Sequence, residues 1–130
     1  MLVIDDRENQ KLIHELLLVM GDASQEEKGQ AVVKRLPSAD YVMGDCGIEA
    51  KEINDLYKSI MGIGRTRNIT AQLVDLQNSY ENPMLVVYGT KLKPYFKYRP
   101  TAQQVNKEIA KMKKVIQTFK ATFYQKFGKI

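Results

Sequence analysis

Asp40-Tyr41-Val42-Met43, Gly44-Asp45 and Cys46-Gly47-Ile48-Glu49-Ala50-Lys51 read as a strand, a tight turn and a returning strand. Gly-Asp between apolar runs is a hairpin signal, because the turn needs residues that tolerate positive φ. Side chains alternate along a strand, so Glu49 and Lys51 leave the returning strand on one face. A hairpin with its tip at residues 44–47 brings Asp40 opposite residues 49–51. Two carboxylates at one spot suit Mg²⁺, a hard cation that takes oxygen ligands, and the Ala50 carbonyl can supply a third. Lys51 beside them can orient a water and offset phosphate charge, the requirements of metal-assisted phosphodiester hydrolysis. The D-x₈-E-x-K string is by itself a weak signal. Its bland reading is a surface hairpin in which Glu49 and Lys51 form an ion pair worth about 0–1 kcal/mol.

Working outward, Leu2–Asp5 reads as a short buried strand. Asn9–Met20 carries Leu12, Leu16 and Met20 at helical spacing, and Gly21 closes it. Residues 21–30 are polar and read as a loop. Ala31–Leu36 reads as a strand, with Pro37-Ser38 as a bend before Asp40. Strands 31–36, 40–43 and 46–51 are expected to form a meander. Ile53, Leu56, Tyr57, Ile60 and Met61 mark a helix ended by Gly62. Ile69, Leu73, Leu76 and Tyr80 mark another within Thr66–Tyr80, which Asn82-Pro83 terminates. The uninterrupted apolar run Met84–Tyr88 predicts a central buried strand. Thr101 and Gln104 form a capping-box pattern. Val105, Ile109, Met112, Ile116, Phe119 and Phe123 then predict a helix over 102–127, about 39 Å long at ~1.5 Å per residue. The seam is expected to pack on the sheet at one end and on a partner at the other. The order β-α-β-β-β-α-α-β-α indicates an α/β chain with a mixed sheet flanked by helices and a long basic C-terminal helix.

The chain of 130 residues suits one domain with a real core, in which residues 1–90 hold the acidic hairpin and 91–130 form a basic loop and C-terminal helix. It has no apolar stretch of membrane-spanning length, and its opening does not read as a signal peptide. With one cysteine, Cys46, no intrachain disulfide forms, which favours an intracellular setting. No nucleophilic role is expected of Cys46, since the single histidine, His14, lies on another element; His14 reads as a partly exposed helix residue. No phosphate-cradling glycine loop and no small-molecule cofactor motif is present. Net charge is +5, and residues 91–130 hold eleven of the twenty Lys and Arg against one acid, Glu108. Such asymmetry suits an anionic partner. Within it, Lys91, Lys93, Lys97 and Arg99 alternate with Tyr95, Phe96 and Tyr98. That pattern suits a phosphate backbone with exposed bases, or equally a basic loop whose aromatics cover the core.

Several motifs in register resemble the XPF family of endonucleases. They are Val3-Ile4-Asp5-Asp6-Arg7-Glu8; Leu36-Pro37-Ser38-Ala39-Asp40-Tyr41-Val42; Ile48-Glu49-Ala50-Lys51 followed by Asp55-Leu56 and Ser59-Ile60; Arg65 or Arg67 with Gln72; and Tyr80-x-x-Pro83-x-Leu85-x-x-x-Gly89. The resemblance covers residues 2–89. It implies a restriction-endonuclease-like fold and Mg²⁺- or Mn²⁺-dependent cutting of flap, fork or branched DNA, with a homodimer or heterodimer expected. It further implies that Asp5, Asp40 and Glu49, with the Ala50 carbonyl, hold metal, and that Lys51 is the catalytic lysine. Glu8, Arg7, Asp55 and Gln72 would support the site, and Arg65, Arg67, Lys91, Lys93, Lys97 and Arg99 would meet DNA. Two positions depart from the family: Ala39 stands where it has a glycine, and Ala50 where it has an arginine. The alternatives are a member of the same fold that binds DNA or dimerises without cutting, and a four-way-junction resolvase. The compartment would be cytoplasmic for a prokaryotic or viral chain and nuclear for a eukaryotic one, with no membrane partner.

Overall fold

In a computed structural model, residues 1–20, 31–64 and 68–127 are described. The elements are β1 (Leu2–Asp5), α1 (Gln10–Met20), β2 (Ala31–Lys34), β3 (Tyr41–Met43), β4 (Cys46–Glu52), α2 (Ile53–Met61), α3 (Ile69–Ser79), β5 (Asn82–Tyr88) and α4 (Ala102–Phe127). The strands form one five-stranded sheet in the order β2-β1-β3-β4-β5. β1 runs parallel to β2, from Leu2↔Ala31 to Asp5↔Lys34. It runs antiparallel to β3, from Leu2↔Met43 to Ile4↔Tyr41. β3 and β4 form the expected hairpin, with Tyr41↔Ile48 and Met43↔Cys46. The sheet is mixed, as the element order implied.

The expected meander is corrected by this topology, because β1 lies between β2 and β3. A parallel neighbour needs a crossover of a dozen or more residues, and residues 6–30, with α1 inside them, supply it. β1 is then paired on both edges. The expectation of a central β5 is also corrected. β5 is an edge strand, and exposure alternates along it, with Met84 at 43%, Val86 at 42% and Tyr88 at 52%. An apolar run without charge does not distinguish a strand covered on both faces from one covered on a single face. The loop expected at 21–30 lies outside the described residues.

The chain divides into two compact units that interleave along the sequence, Met1–Ala50 with Gln72–Val86, and Lys51–Ala71 with Val87–Ile130. The chain passes from one to the other three times. In the first unit, Leu2, Ile4, Ile13 and Ala31 form a buried cluster against which Leu16, Leu17, Val33 and Tyr41 pack. Each fully buried large aliphatic contributes about 1.5–3 kcal/mol. Asn9 caps α1, accepting from the Lys11 and Leu12 amides at 2.9 and 3.2 Å.

In the second unit, the Glu52 carboxylate caps α2 by accepting from the Asn54 and Asp55 amides at 3.0 and 3.2 Å. Gly62, at φ 68° and ψ 32°, closes the helix in the left-handed conformation that a glycine takes without strain. The Thr101–Gln104 capping box is formed: the Thr101 amide donates to Oε1 of Gln104 at 2.8 Å, and the Gln104 amide to Oγ1 of Thr101 at 3.1 Å. α4 packs on α2 and buries Met112 and Ile116. The middle of the predicted seam is thus covered by a helix rather than by the sheet. The Phe123 side chain lies outside the described residues.

Candidate active site

The first acidic motif folds into a clamp at the end of β1. Asp5 is 4% exposed. Its Oδ1 accepts from the Leu36 amide at 2.8 Å and from Nη2 of Arg7 at 3.2 Å. Its Oδ2 accepts from Nε of Arg7 at 2.8 Å and, at 3.3 Å, from the Arg7 amide. Arg7 in turn donates from Nη2 to the Leu36 carbonyl at 2.6 Å. A carboxylate has about four lone-pair sites, and four donors fill those of Asp5. Burial raises the Asp5 pKa, but the Arg7 guanidinium and the Leu36 amide outweigh it and hold the carboxyl below the ordinary range. These bonds tie β1 to the residues after β2 through Asp5. Arg7 is the ion-pair partner of Asp5 within this clamp.

Asp40 is set beside this clamp by backbone bonds. Its carbonyl accepts from the Asp5 amide at 2.8 Å, and its amide donates to the Ile48 carbonyl at 2.8 Å. Ile48 is already the register partner of Tyr41. Two residues against one is the arrangement of a β-bulge, a device that re-aims a side chain. Ala39, just before it, sits at φ 76°, and it is the one non-glycine residue with positive φ among the described residues. Alanine thus adopts here the backbone that the family's glycine would take without cost. Oδ2 of Asp40 accepts from the Ala50 amide at 2.8 Å, which joins the aspartate to β4 next to Glu49.

Glu49 is 7% exposed, and its Oε1 accepts from Nε2 of Gln72 on α3 at 3.0 Å. Two residues back on the same face, Gly47 lies under the ring of Tyr80. A β-carbon built on Gly47 would stand 2.6 Å from Cε2 of that ring and nearer still to Cγ and Cδ2. The Tyr80 hydroxyl donates to the Ser38 carbonyl at 2.8 Å, and burial pushes its pKa up. Tyr80 therefore spans from β4 to the turn that presents Asp40. Its positioning role was not read from the sequence, although the Tyr80-x-x-Pro83 motif marked the residue. Lys51 follows in β4 at the position two on from Glu49 and is half-buried. Among the described residues, no group of three or more His, Cys, Asp or Glu side chains is disposed to share a metal ion. The structure brings together Asp40, Glu49, the Ala50 backbone and Gln72, with Asp5 and Arg7 locked to one another.

Other expected residues fall elsewhere. Glu8 accepts from the Asn9 amide at 3.1 Å. Asp55 is exposed in the first turn of α2. Lys91, Lys93, Lys97 and Arg99 are exposed. Arg65 and Arg67 lie outside the described residues. Sequence reasoning also missed Asn54, whose Nδ2 donates to the Lys91 carbonyl at 2.8 Å and whose Oδ1 accepts from the Lys93 amide at 2.7 Å. The side chain acts as a strand partner and fixes the start of the basic loop; an isolated asparagine carries no sequence signal for this. Charge follows the units. The second holds fifteen of the twenty Lys and Arg and three of the fifteen Asp and Glu, a net of +12, and the first is −7.

Comparison with known proteins bears on this geometry. The chain is similar to XPF from Aeropyrum pernix, solved in complex with DNA, with a TM-score of 0.56 and 20% identity over 89% of this chain and 48% of that one. That likeness is one of fold, and this chain spans about half the length of that protein. No curated protein sequence matches significantly. The ERCC4 domain profile matches residues 4–125. With nearly the whole length matched, and with the mixed sheet and helices of the XPF nuclease fold in place, the chain belongs to the ERCC4 domain family, that of the XPF nucleases.

Proposed function

We propose that this chain is the hydrolytic domain of a structure-specific DNA endonuclease, cutting the phosphodiester backbone near branches, flaps or forks. The observation that carries the reading is the buried Glu49 carboxylate, oriented by Gln72 on the strand that Asp40 grips through the Ala50 amide. Burying a carboxylate is costly unless the charge is used or matched. Asp40, Glu49 and the Ala50 carbonyl offer only hard oxygen donors. This set fits Mg²⁺ or Mn²⁺, ions for which one or two carboxylates suffice because they keep several waters. When bound, such an ion lowers the pKa of water and neutralises phosphate charge. The chain's own groups prepare the ground. Gln72 fixes the Glu49 carboxylate, Tyr80 and the Asp5–Arg7 clamp fix the backbone at Asp40, and the Lys51 ammonium offsets negative charge on the scissile phosphate. The +12 unit attracts the rest of the nucleic acid.

A second reading, a DNA-docking platform without turnover, is favoured by two observations. Asp5 has its lone pairs filled, and among the described residues no three-acid group is disposed around one ion. Incubating labelled flap, fork, four-way and linear duplex DNA with Mg²⁺ or Mn²⁺ separates the readings. Cleavage at branches is expected, with Lys51→Ala slowing it by about 10²–10³-fold, the order lost with one group that stabilises developing charge, and Asp40→Ala slowing it at least as much by removing a metal-holding oxygen. Retained binding with no cutting by the unmutated chain would select the platform.

A further inference from the structure

The second unit contains a cleft that none of this chemistry uses. It measures about 540 Å³ and is lined by residues that include Tyr57, Ile63 and Met112, with Pro94 and Tyr95 at its basic-loop side. That lies within the ~300–1,000 Å³ of small-molecule pockets. Lys58 and Lys93 stand on the same lining, and Lys91 and Lys97 are exposed on the adjoining loop. Tyr95 is 89% exposed, too much for a residue placed there to close the core. Its loop is anchored by the two bonds from Asn54, so the ring is presented from a fixed start. Tyr98, 78% exposed, has the Lys97 ammonium 5.7 Å from its ring centre. Exposed rings among lysines form a surface that stacks bases while its cations follow phosphates. Glu108 also lines the cleft. A carboxylate repels a phosphate and accepts from the amino edge of a base, so the base rather than the backbone belongs inside.

We propose that this cleft receives an unpaired nucleobase of a single-stranded DNA arm, stacked on Tyr95, with Lys58 and Lys93 holding the flanking phosphates. The assignment deepens the function proposed above and rests on DNA being the ligand of this chain, not on the chain cutting it. Its test uses the full chain and single strands carrying 2-aminopurine, whose fluorescence is quenched on stacking, with blunt duplex DNA alongside. The unmutated chain quenches the probe. Tyr95→Ala, at so exposed a position, leaves the fold intact, and it is expected to weaken single-strand binding by about 5–100-fold, the worth of one stacked base. Duplex affinity falls far less, and Tyr95→Phe restores quenching. An equal loss on single strand and duplex, an unchanged single-strand affinity, or displacement of the strand by polyglutamate as readily as by DNA would overturn the assignment. The two readings fail separately. Quenching without cleavage keeps the cleft and sinks the nuclease, cleavage with a neutral Tyr95→Ala does the reverse, and no binding of any DNA sinks both.

Discussion

Gly47→Ala tests the geometry that presents Asp40. Gly47 has no positive φ, so its glycine is required by space and not by backbone conformation. An added methyl would overlap Cγ, Cδ2 and Cε2 of Tyr80, the last at 2.6 Å. The ring cannot step aside without lengthening its hydroxyl bond to the Ser38 carbonyl, now 2.8 Å. Overpacking of this kind costs about 1–3 kcal/mol, and the lost hydrogen bond about 0.5–1.5 kcal/mol. Against these, replacing a strand glycine by alanine gains about 0.5–1 kcal/mol from reduced chain entropy. The net expectation is a loss of about 0.5–4 kcal/mol, centred near 2, or a urea midpoint lower by roughly 1 M for a slope of ~1.5–2 kcal/mol per molar. With Tyr80→Ala the obstruction is gone, and Gly47→Ala should turn neutral or stabilising. Equilibrium urea unfolding of the parent, both single variants and the double variant closes the cycle, with an interaction energy of about 1.5–4.5 kcal/mol. If Gly47→Ala costs the same in both backgrounds, or nothing in the parent, Tyr80 does not press on β4 and its link to the Asp40 turn is wrong.

Other contacts carry outcomes of their own. The Asp5 carboxyl titrates below its unfolded value near 3.8, so its contribution is complete above about pH 4 and is lost as pH falls through the lower folded value; unfolding followed from pH 6 down to pH 2 should show an acid limb that flattens in Asp5→Asn, and an unaltered slope would refute the clamp. Glu52→Ala removes the cap of α2 and should cost about 1 kcal/mol in thermal unfolding. Asn54→Ala frees the start of the loop that carries Lys91 and Lys93 and should weaken DNA binding with a shallower salt dependence, because fewer phosphates are held; an unchanged affinity and slope in titrations across salt concentration would count against the loop-anchoring role of Asn54. Ala39→Gly relieves about 1–2 kcal/mol of left-handed strain and forfeits roughly 0.8 kcal/mol of buried methyl, so it should match or slightly exceed the parent in melting temperature, whereas a clear loss would show that φ 76° is not strained.

Local chemistry made most of the elements legible. Gly62 stops α2 because a glycine accepts αL, Thr101 and Gln104 start α4 because each satisfies the other's amide, and Gly44-Asp45 turns the hairpin that carries Glu49. What was not legible depends on partners remote in sequence. The place of β1 between β2 and β3 is a choice among edges that strand patterns do not encode. β5 has the composition of a central strand and the position of an edge. The acidic site shows the same division more sharply. Spacing brings Asp40 and Glu49 to one patch and the family resemblance adds Asp5, and all three stand on or beside neighbouring strands. Neither identifies which lone pairs are already spent. That is decided for Asp5 by the Leu36 amide, 31 residues away, together with the guanidinium of Arg7. A side chain two residues along the chain supplies the charge and a distant backbone group supplies the direction. The same acidic motif can thus build a metal ligand or a structural clamp, according to whether a loop returns a donor to it. Under the proposed function the chemistry would rest most directly on the two acids of β4 and of the turn before β3, and the two substitutions that test this are Asp40→Ala and Glu49→Gln.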